Sequence, residues 1–212
     1  MRVDAVVKLG GSLLADASLR PLLHALQAIA PTRGLVVVPG GGPFADAVRE
    51  ADRLHAPGAT AAHWMAALAM DQHAHLLAGL LPSAFLATDP PTVEQAVCAG
   101  RVALLAPFAW LRAADSLPHG WHVTSDSIAA WLAGQLGARG LVLLKAIDGV
   151  PDGHGDVLAE VDRGSLAPAG IVDEYFAQAL GQNLECWIVN GRHPERLAEL
   201  LRNGRTRGTR VC

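Results

Sequence analysis

The sequence predicts an α/β fold in which a mainly parallel sheet is covered by helices on both faces. Three observations carry that reading. Short runs of Val, Leu and Ile recur without polar alternation, as in strands buried on both sides. Segments with apolar residues at helical spacing lie between those runs. Glycine-rich turns follow the first two runs, where a strand would hand over to a helix.

Taken in order, residues 3–8 read as the first strand and residues 18–30 as a helix with Leu19, Leu22, Leu23 and Leu26 along one stripe. Residues 35–38 form the second strand. Residues 43–54 form the second helix, with Phe44, Ala47, Val48 and Ala51 assigned to one face. Pro43 suits the first helical position, where its missing N–H costs nothing. Residues 61–81 read as one long, largely buried helix ended by Pro82. Short strands at 84–87 and 102–105 flank a weaker helix at 92–99. A further short strand is expected at 121–123, followed by a helix at 125–136 that opens on Thr, Ser and Asp. Residues 141–145 are the most apolar strand. Asp148-Gly149 then reads as a turn, and residues 152–155 as a surface hairpin. A helix at 172–180, a strand at 186–189, a helix at 194–201 and a strand at 209–211 complete the chain. Charge, Pro and Gly cluster at residues 113–120, which divides an N-terminal lobe of residues 1–116 from a C-terminal lobe of residues 117–212 on one continuous sheet.

Bulk properties narrow the function. A chain of 212 residues with 51% hydrophobic composition has ample material for a core. A net charge of −3, with no run of Lys or Arg, offers no field for nucleic acid. The arginines between 202 and 210 are interrupted by Gly and Thr and read as a solvated helix end. The first apolar run stops at Gly10-Gly11 with no cleavage pattern behind it, unlike a signal peptide. The longest apolar segment, 61–81, is broken by His63, Asp71, Gln72, His73 and His75, so no membrane span is expected. Cys98, Cys186 and Cys212 have no CxxC spacing, which suits reduced thiols in a cytoplasmic protein. No metal site is expected: the histidines lack a carboxylate at ligand spacing and read as packing or surface residues.

Of the 17 Lys and Arg residues only Lys8 and Lys145 are lysines, and each ends a predicted core strand. That is where open α/β sheets place their ligands. A lysine is a compact, flexible charge able to follow phosphate oxygens as they move. Lys8 leads into Gly10-Gly11-Ser12, and the next strand leads into Gly40-Gly41-Gly42-Pro43. Glycines there let backbone N–H groups approach an anion, and the second run opens onto a helix N-terminus. Neither turn is a P-loop or a dinucleotide fingerprint. Asp126 lies in the first turn of a predicted helix, either as an ordinary first-turn carboxylate or as an acid holding lysines in register.

The segments 6–12, 38–42, 124–130 and 144–150 resemble, in order, the successive signatures of the amino acid kinase superfamily. The resemblance implies a three-layer αβα sandwich, with acceptor in the N-terminal lobe and ATP in the C-terminal lobe. It implies that Lys8 and the Gly10–Gly11 turn stabilise the transferring phosphoryl group, that Gly40, Gly41 and Gly42 hold the acceptor, and that Asp126 orients the catalytic lysine. Lys145, Asp148, Gly149 and Val150 would line the nucleotide site, with Mg²⁺ arriving on ATP. Two departures stand out. Pro151 occupies a position where many relatives have Tyr, and no lysine follows Lys145, so either Lys145 or an arginine such as Arg192 must serve where relatives use a later lysine. Residues 62–72 and 189–196 further resemble the small kinases of methanofuran biosynthesis, which implies a phosphorylated aminomethyl-furan acceptor. For Asp71 two readings stay open: contact with a substrate ammonium, or a packed helix with the carboxylate paired to an arginine. Other acceptors of the superfamily (a nucleoside monophosphate, isopentenyl phosphate, a carboxylate) and a non-catalytic ATP-binding role are the alternatives. A homo-oligomer, dimer or higher, is expected.

Overall fold

The computed structural model describes residues 3–212. Its strands are β1 (Ala5–Leu9), β2 (Leu35–Pro39), β3 (Phe85–Ala87), β4 (Ala103–Leu105), β5 (Gly140–Lys145), β6 (Glu160–Val161), β7 (Glu185–Asn190) and β8 (Thr209–Val211). They form one 8-stranded sheet in the order β3-β4-β2-β1-β5-β7-β8-β6. Every pairing is parallel except β7 with β8. The helices are α1 (Leu19–Ile29), α2 (Gly42–His55), α3 (Ala59–Leu80), α4 (Pro90–Cys98), α5 (Phe108–Ala114), α6 (Ser125–Gln135), α7 (Phe176–Ala179) and α8 (Pro194–Asn203).

Strand parity sorts the core into two layers. Ala5, Val7 and Leu9 of β1 pack with the Leu19–Leu22–Leu23–Leu26 stripe of α1 and with Leu197 and Leu200 of α8. Val6, with Val36, Val38, Leu141 and Leu143, packs on the opposite face against α4, α6, α7 and the middle of α3. Each leucine so buried contributes about 1.5–3 kcal/mol relative to exposure, and both faces are saturated. Helix α2 lies outside this frame and packs on α3 through Ala45, Val48 and Ala69.

Four local expectations change. Residues 121–123 form a turn rather than a strand. Trp121 there donates its indole N–H to Asp52 (2.7 Å). The helix expected at 172–180 shrinks to Phe176–Ala179, because Asp173 is drawn off to the start of α6. Helix α5, absent from the sequence reading, starts where Asp71 accepts the Phe108 N–H (3.0 Å). On α2 the packed stripe runs through Ala45 and Val48, and Ala47 is exposed.

Candidate active site

The pleat decides where the two lysines go. Lys8 has the parity of Val6, and Lys145 that of Leu141 and Leu143, so both side chains leave the sheet on the face covered by α6. The first turn of α6 brings Asp126 down between them. Lys8 Nζ lies 2.8 Å from Oδ1 of Asp126, and Lys145 Nζ donates to Oδ2 at 2.8 Å. Burial alone would push the Asp126 carboxyl up, but the charges of Lys8 and Lys145 outweigh it and hold the group below its usual range. Burial lowers the Lys145 ammonium, with the Asp126 carboxylate opposing that shift and the Lys8 charge adding to it. One carboxylate therefore aligns two cations at the C-terminal edge of adjacent strands.

The α6 terminus is fixed from far along the chain. Asp173 accepts from the backbone N–H groups of Thr124 and Ser127, both at 3.1 Å, from the Thr124 hydroxyl at 2.7 Å, and from the Ser127 hydroxyl. It does the work of an N-cap, which the Thr124 side chain does not do. Asp173 was not singled out by the sequence, because a carboxylate 46 to 49 positions away leaves no local signature.

The two glycine turns press on one another at the end of β1. A Cβ on Gly11 would lie 2.5 Å from Cα of Gly42, and Gly42 itself has φ +52°. Only glycine at these positions lets the backbones close. The turns, with Lys8, Asp126 and Ser125, form one end of a cavity of about 500 Å³. Its other walls are His63, Ala66 and Met70 of α3, Asp46 and Arg49 of α2, and Trp121. Arg49 is paired with Asp46 at 2.6 Å and lies over the Trp121 ring, 5.1 Å from its centroid. His63 stacks on His119 with ring centroids 4.6 Å apart, and burial pushes its imidazole down to about 4.

A second, more open cleft of about 600 Å³ begins on the other side of Asp126. Lys145, Thr124 and residues 170–174 line it. Beyond the end of β5, the Asp148 carboxylate accepts from Asn190 (2.8 Å) and Arg196 (2.6 Å) and pairs with Arg207 (3.1 Å). The Asn190 and Arg196 hydrogen bonds lower its pKa to about 2. Asp126 belongs to both cavities. Two bound molecules would thus meet at one carboxylate and two ammonium groups, an arrangement suited to passing an anionic group between them.

Comparison with known proteins agrees with this geometry. Residues 5–166 match the profile of the amino acid kinase family. The chain is 32% identical over 203 residues, 92% of each chain, to a Methanocaldococcus jannaschii protein named [5-(aminomethyl)furan-3-yl]methyl phosphate kinase. The chain belongs to the amino acid kinase family. Among solved structures it is similar to uridylate kinase from Archaeoglobus fulgidus (TM-score 0.76, 21% identity, 99% of this chain and 100% of that one). It is likewise similar to UMP kinase from Ureaplasma parvum (TM-score 0.76, 16% identity, 99% of each chain). These likenesses carry the three-layer fold, and the family makes the chain a phosphotransferase.

Within this amino acid kinase, Lys8, Lys145, Asp126, Gly11, Gly40, Gly41 and Gly42 converge on the two cavities. Other residues singled out by sequence lie elsewhere. The Gly10 N–H is spent on Leu144 O (2.9 Å), and a Cβ there would lie 2.7 Å from that oxygen, so Gly10 lets the turn pass β5. Val150 is buried, and its N–H donates to Thr209 Oγ1 (2.8 Å). A Cβ on Gly149 would lie 2.5 Å from Val157 and 2.6 Å from Thr209, so Gly149 too is a packing position. Asp71 is not among the residues lining the cavity, and among the described residues no arginine is paired with its carboxylate. Half-buried, it accepts the Phe108 N–H, as the positive end of α5 favours. Arg192 donates to Asp16 (2.7 Å), tying the β7–α8 turn to the loop after β1. Ser18 and Arg192 together lower the Asp16 pKa to about 2.

Proposed function

We propose that this kinase transfers the γ-phosphoryl group of ATP to the phosphate of [5-(aminomethyl)furan-3-yl]methyl phosphate, giving its diphosphate and ADP. The observation that carries the reading is the Lys8–Asp126–Lys145 constellation standing between two cavities, in a chain that shares 32% identity over 92% of its length with a kinase named for that acceptor. The cavity of about 500 Å³ matches a small ring compound with one phosphate. Its basic side chains are Lys8 at one end and Arg49 at the mouth, with neutral His63 between walls of Trp121 and Met70.

In this reading residues 1–116 supply most of the acceptor site and residues 117–212 the nucleotide site. An acceptor phosphate oxygen attacks the γ-phosphorus, the bond to the β-phosphate oxygen breaks, and the leaving electrons go to ADP. Lys8 sits between donor and acceptor and neutralises charge on the transferring group. Lys145 does the same from the nucleotide side, in the place of the later lysine of relatives. Asp126 holds both ammonium groups in position. Because Asp126 is committed to two ammonium groups, Mg²⁺ would be held by triphosphate oxygens and water, supplying further charge neutralisation. The free cysteines are consistent with a cytoplasmic setting.

The test is ADP release with and without candidate acceptors, followed by ³¹P spectra of the product. The furan phosphate should stimulate release and yield a diphosphate resonance. Release that no phosphorylated acceptor stimulates would overturn the kinase assignment of this site. Stimulation by UMP alone would keep the mechanism and replace the acceptor.

A further inference from the structure

His73 plays no part in the account so far, yet it is fully buried beneath the acceptor turn. It lies on the stripe of α3 that carries Ala66 and Met70, both of which line the cavity, one turn further along the helix. Its Nδ1 meets the carbonyl oxygen of Gly40. A carbonyl can only accept, so Nδ1 carries the proton, and in the neutral ring Nε2 keeps a lone pair. Nε2 is buried and has no partner among the described residues. Burial lowers the imidazole, the Gly40 contact opposes that, and the Lys8 charge lowers it further, so the ring stays neutral. A buried polar group with one satisfied contact and one unsatisfied atom is costly to keep in a core.

The consequence lies one atom along the chain. The Gly40–Gly41 peptide is planar and trans, so its C=O and N–H point in opposite directions. With the carbonyl held by His73, the Gly41 N–H must face away from it. Gly41 lines the cavity, and its N–H has no acceptor among the described residues. Two adjacent glycines make a flip of this peptide sterically cheap. A flipped peptide would present a carbonyl oxygen to an incoming anion in place of a donor.

We propose that His73 is a positioning residue of the acceptor site, locking the Gly40–Gly41 peptide so that the Gly41 N–H is delivered to an oxygen of the acceptor's phosphate. The inference rests on the reading of Gly40–Gly42 as the acceptor turn, and two measurements separate it from that reading. In the first, inorganic phosphate is titrated into the ¹⁵N-labelled chain, wild type and variants, while the Gly41 amide resonance is followed. Phosphate should shift it in wild type and in His73→Asn, whose Nδ2 replaces the Nδ1 donor, and leave it unmoved in His73→Leu. In the second, acceptor KM in His73→Leu should rise about 10- to 100-fold while ATP KM stays within about twofold, with His73→Asn recovering most of the loss. A purely structural role would lower stability and move both constants alike.

The inference is overturned if phosphate leaves the Gly41 amide unmoved in wild type, or if His73→Leu raises both KM values together. Should His73→Leu fail to fold, the wild-type titration and the His73→Asn KM values decide on their own. If phosphate shifts Gly41 but no phosphorylated acceptor stimulates ADP release, the proposed reaction fails and the phosphate-binding peptide stands. If an acceptor stimulates release but Gly41 does not respond, the reaction stands and His73 drops out.

Discussion

The two cavities that share Asp126 are made of different materials. The cavity proposed to take the acceptor is walled by regular elements, α2, α3 and α6, closed at one end by two interlocked glycine turns. Its lining is mostly apolar, and its histidine is held neutral by burial. The Lys145 side is walled by the segments 121–126 and 167–174, most of it loop, and opens widely to solvent. Outside its lining, Arg192 is paired with Asp16, and both Arg196 and Arg207 with Asp148. The difference teaches how selectivity is divided. Shape and desolvation are preset on one side, whereas the other is a loop-built cleft open to solvent.

The largest effect should come from the buried cation beside the two glycine turns. Lys8→Ala is expected to lower kcat about 10³-fold with ATP KM little changed, because its charge matters most when charge moves onto the transferring group. A near-wild-type kcat would remove Lys8 from the mechanism and leave the two cavities unconnected. Asp126→Asn keeps the shape but leaves two buried ammonium groups without their counter-charge. We expect about a 10²-fold loss of kcat together with about 3–5 kcal/mol of stability, read by urea unfolding. Loss of activity without loss of stability would mean that the lysines find another partner.

A smaller effect tests the loop-built side. Asp173→Ala removes the cap of α6 and should lower stability by about 1–2 kcal/mol. Because Asp126 sits in the turn so capped, kcat should fall several-fold as well. If stability falls and kcat does not, the position of Asp126 is set by the lysines rather than by the helix.

The two glycine turns and the two lysines at their strand ends were legible in the sequence because each has a local cause. A strand ending in Lys, then Gly-Gly, then a second strand ending in a glycine run, can be read from spacing alone. Strand parity then places both side chains under α6. The α1 stripe of Leu19, Leu22, Leu23 and Leu26 was equally plain. What escaped was non-local. Asp173 capping α6, Trp121 bonded to Asp52, and His73 under Gly40 join positions 33 to 69 residues apart, and no periodicity links them. Asp71 shows the converse case. Helical spacing fixed its face, but the short helix α5, whose N–H it accepts, was not recognised.

The smallest expected effect asks how dry the acceptor wall is. His63 packs against Trp64 and His119, His119 is bonded to Asp115 and Thr60, and His122 lies close enough to add its charge. Burial, then the neighbouring imidazoles, depress the His63 pKa from 6.5 to about 4, with Asp115 opposing. The unfolded chain therefore binds the extra proton first as pH falls. The stability that a neutral His63 contributes is present above about pH 6.5 and is lost progressively as pH drops toward 4. Between pH 7 and pH 6 this one group should cost about 0.7 kcal/mol. His63→Phe keeps the ring stack without the titration, so its unfolding free energy should be flatter over that interval by the same amount. An unchanged slope would mean that water reaches the His63 ring in the free enzyme, and the contrast between a preset wall beside Lys8 and an open cleft beside Lys145 would lose its electrostatic half.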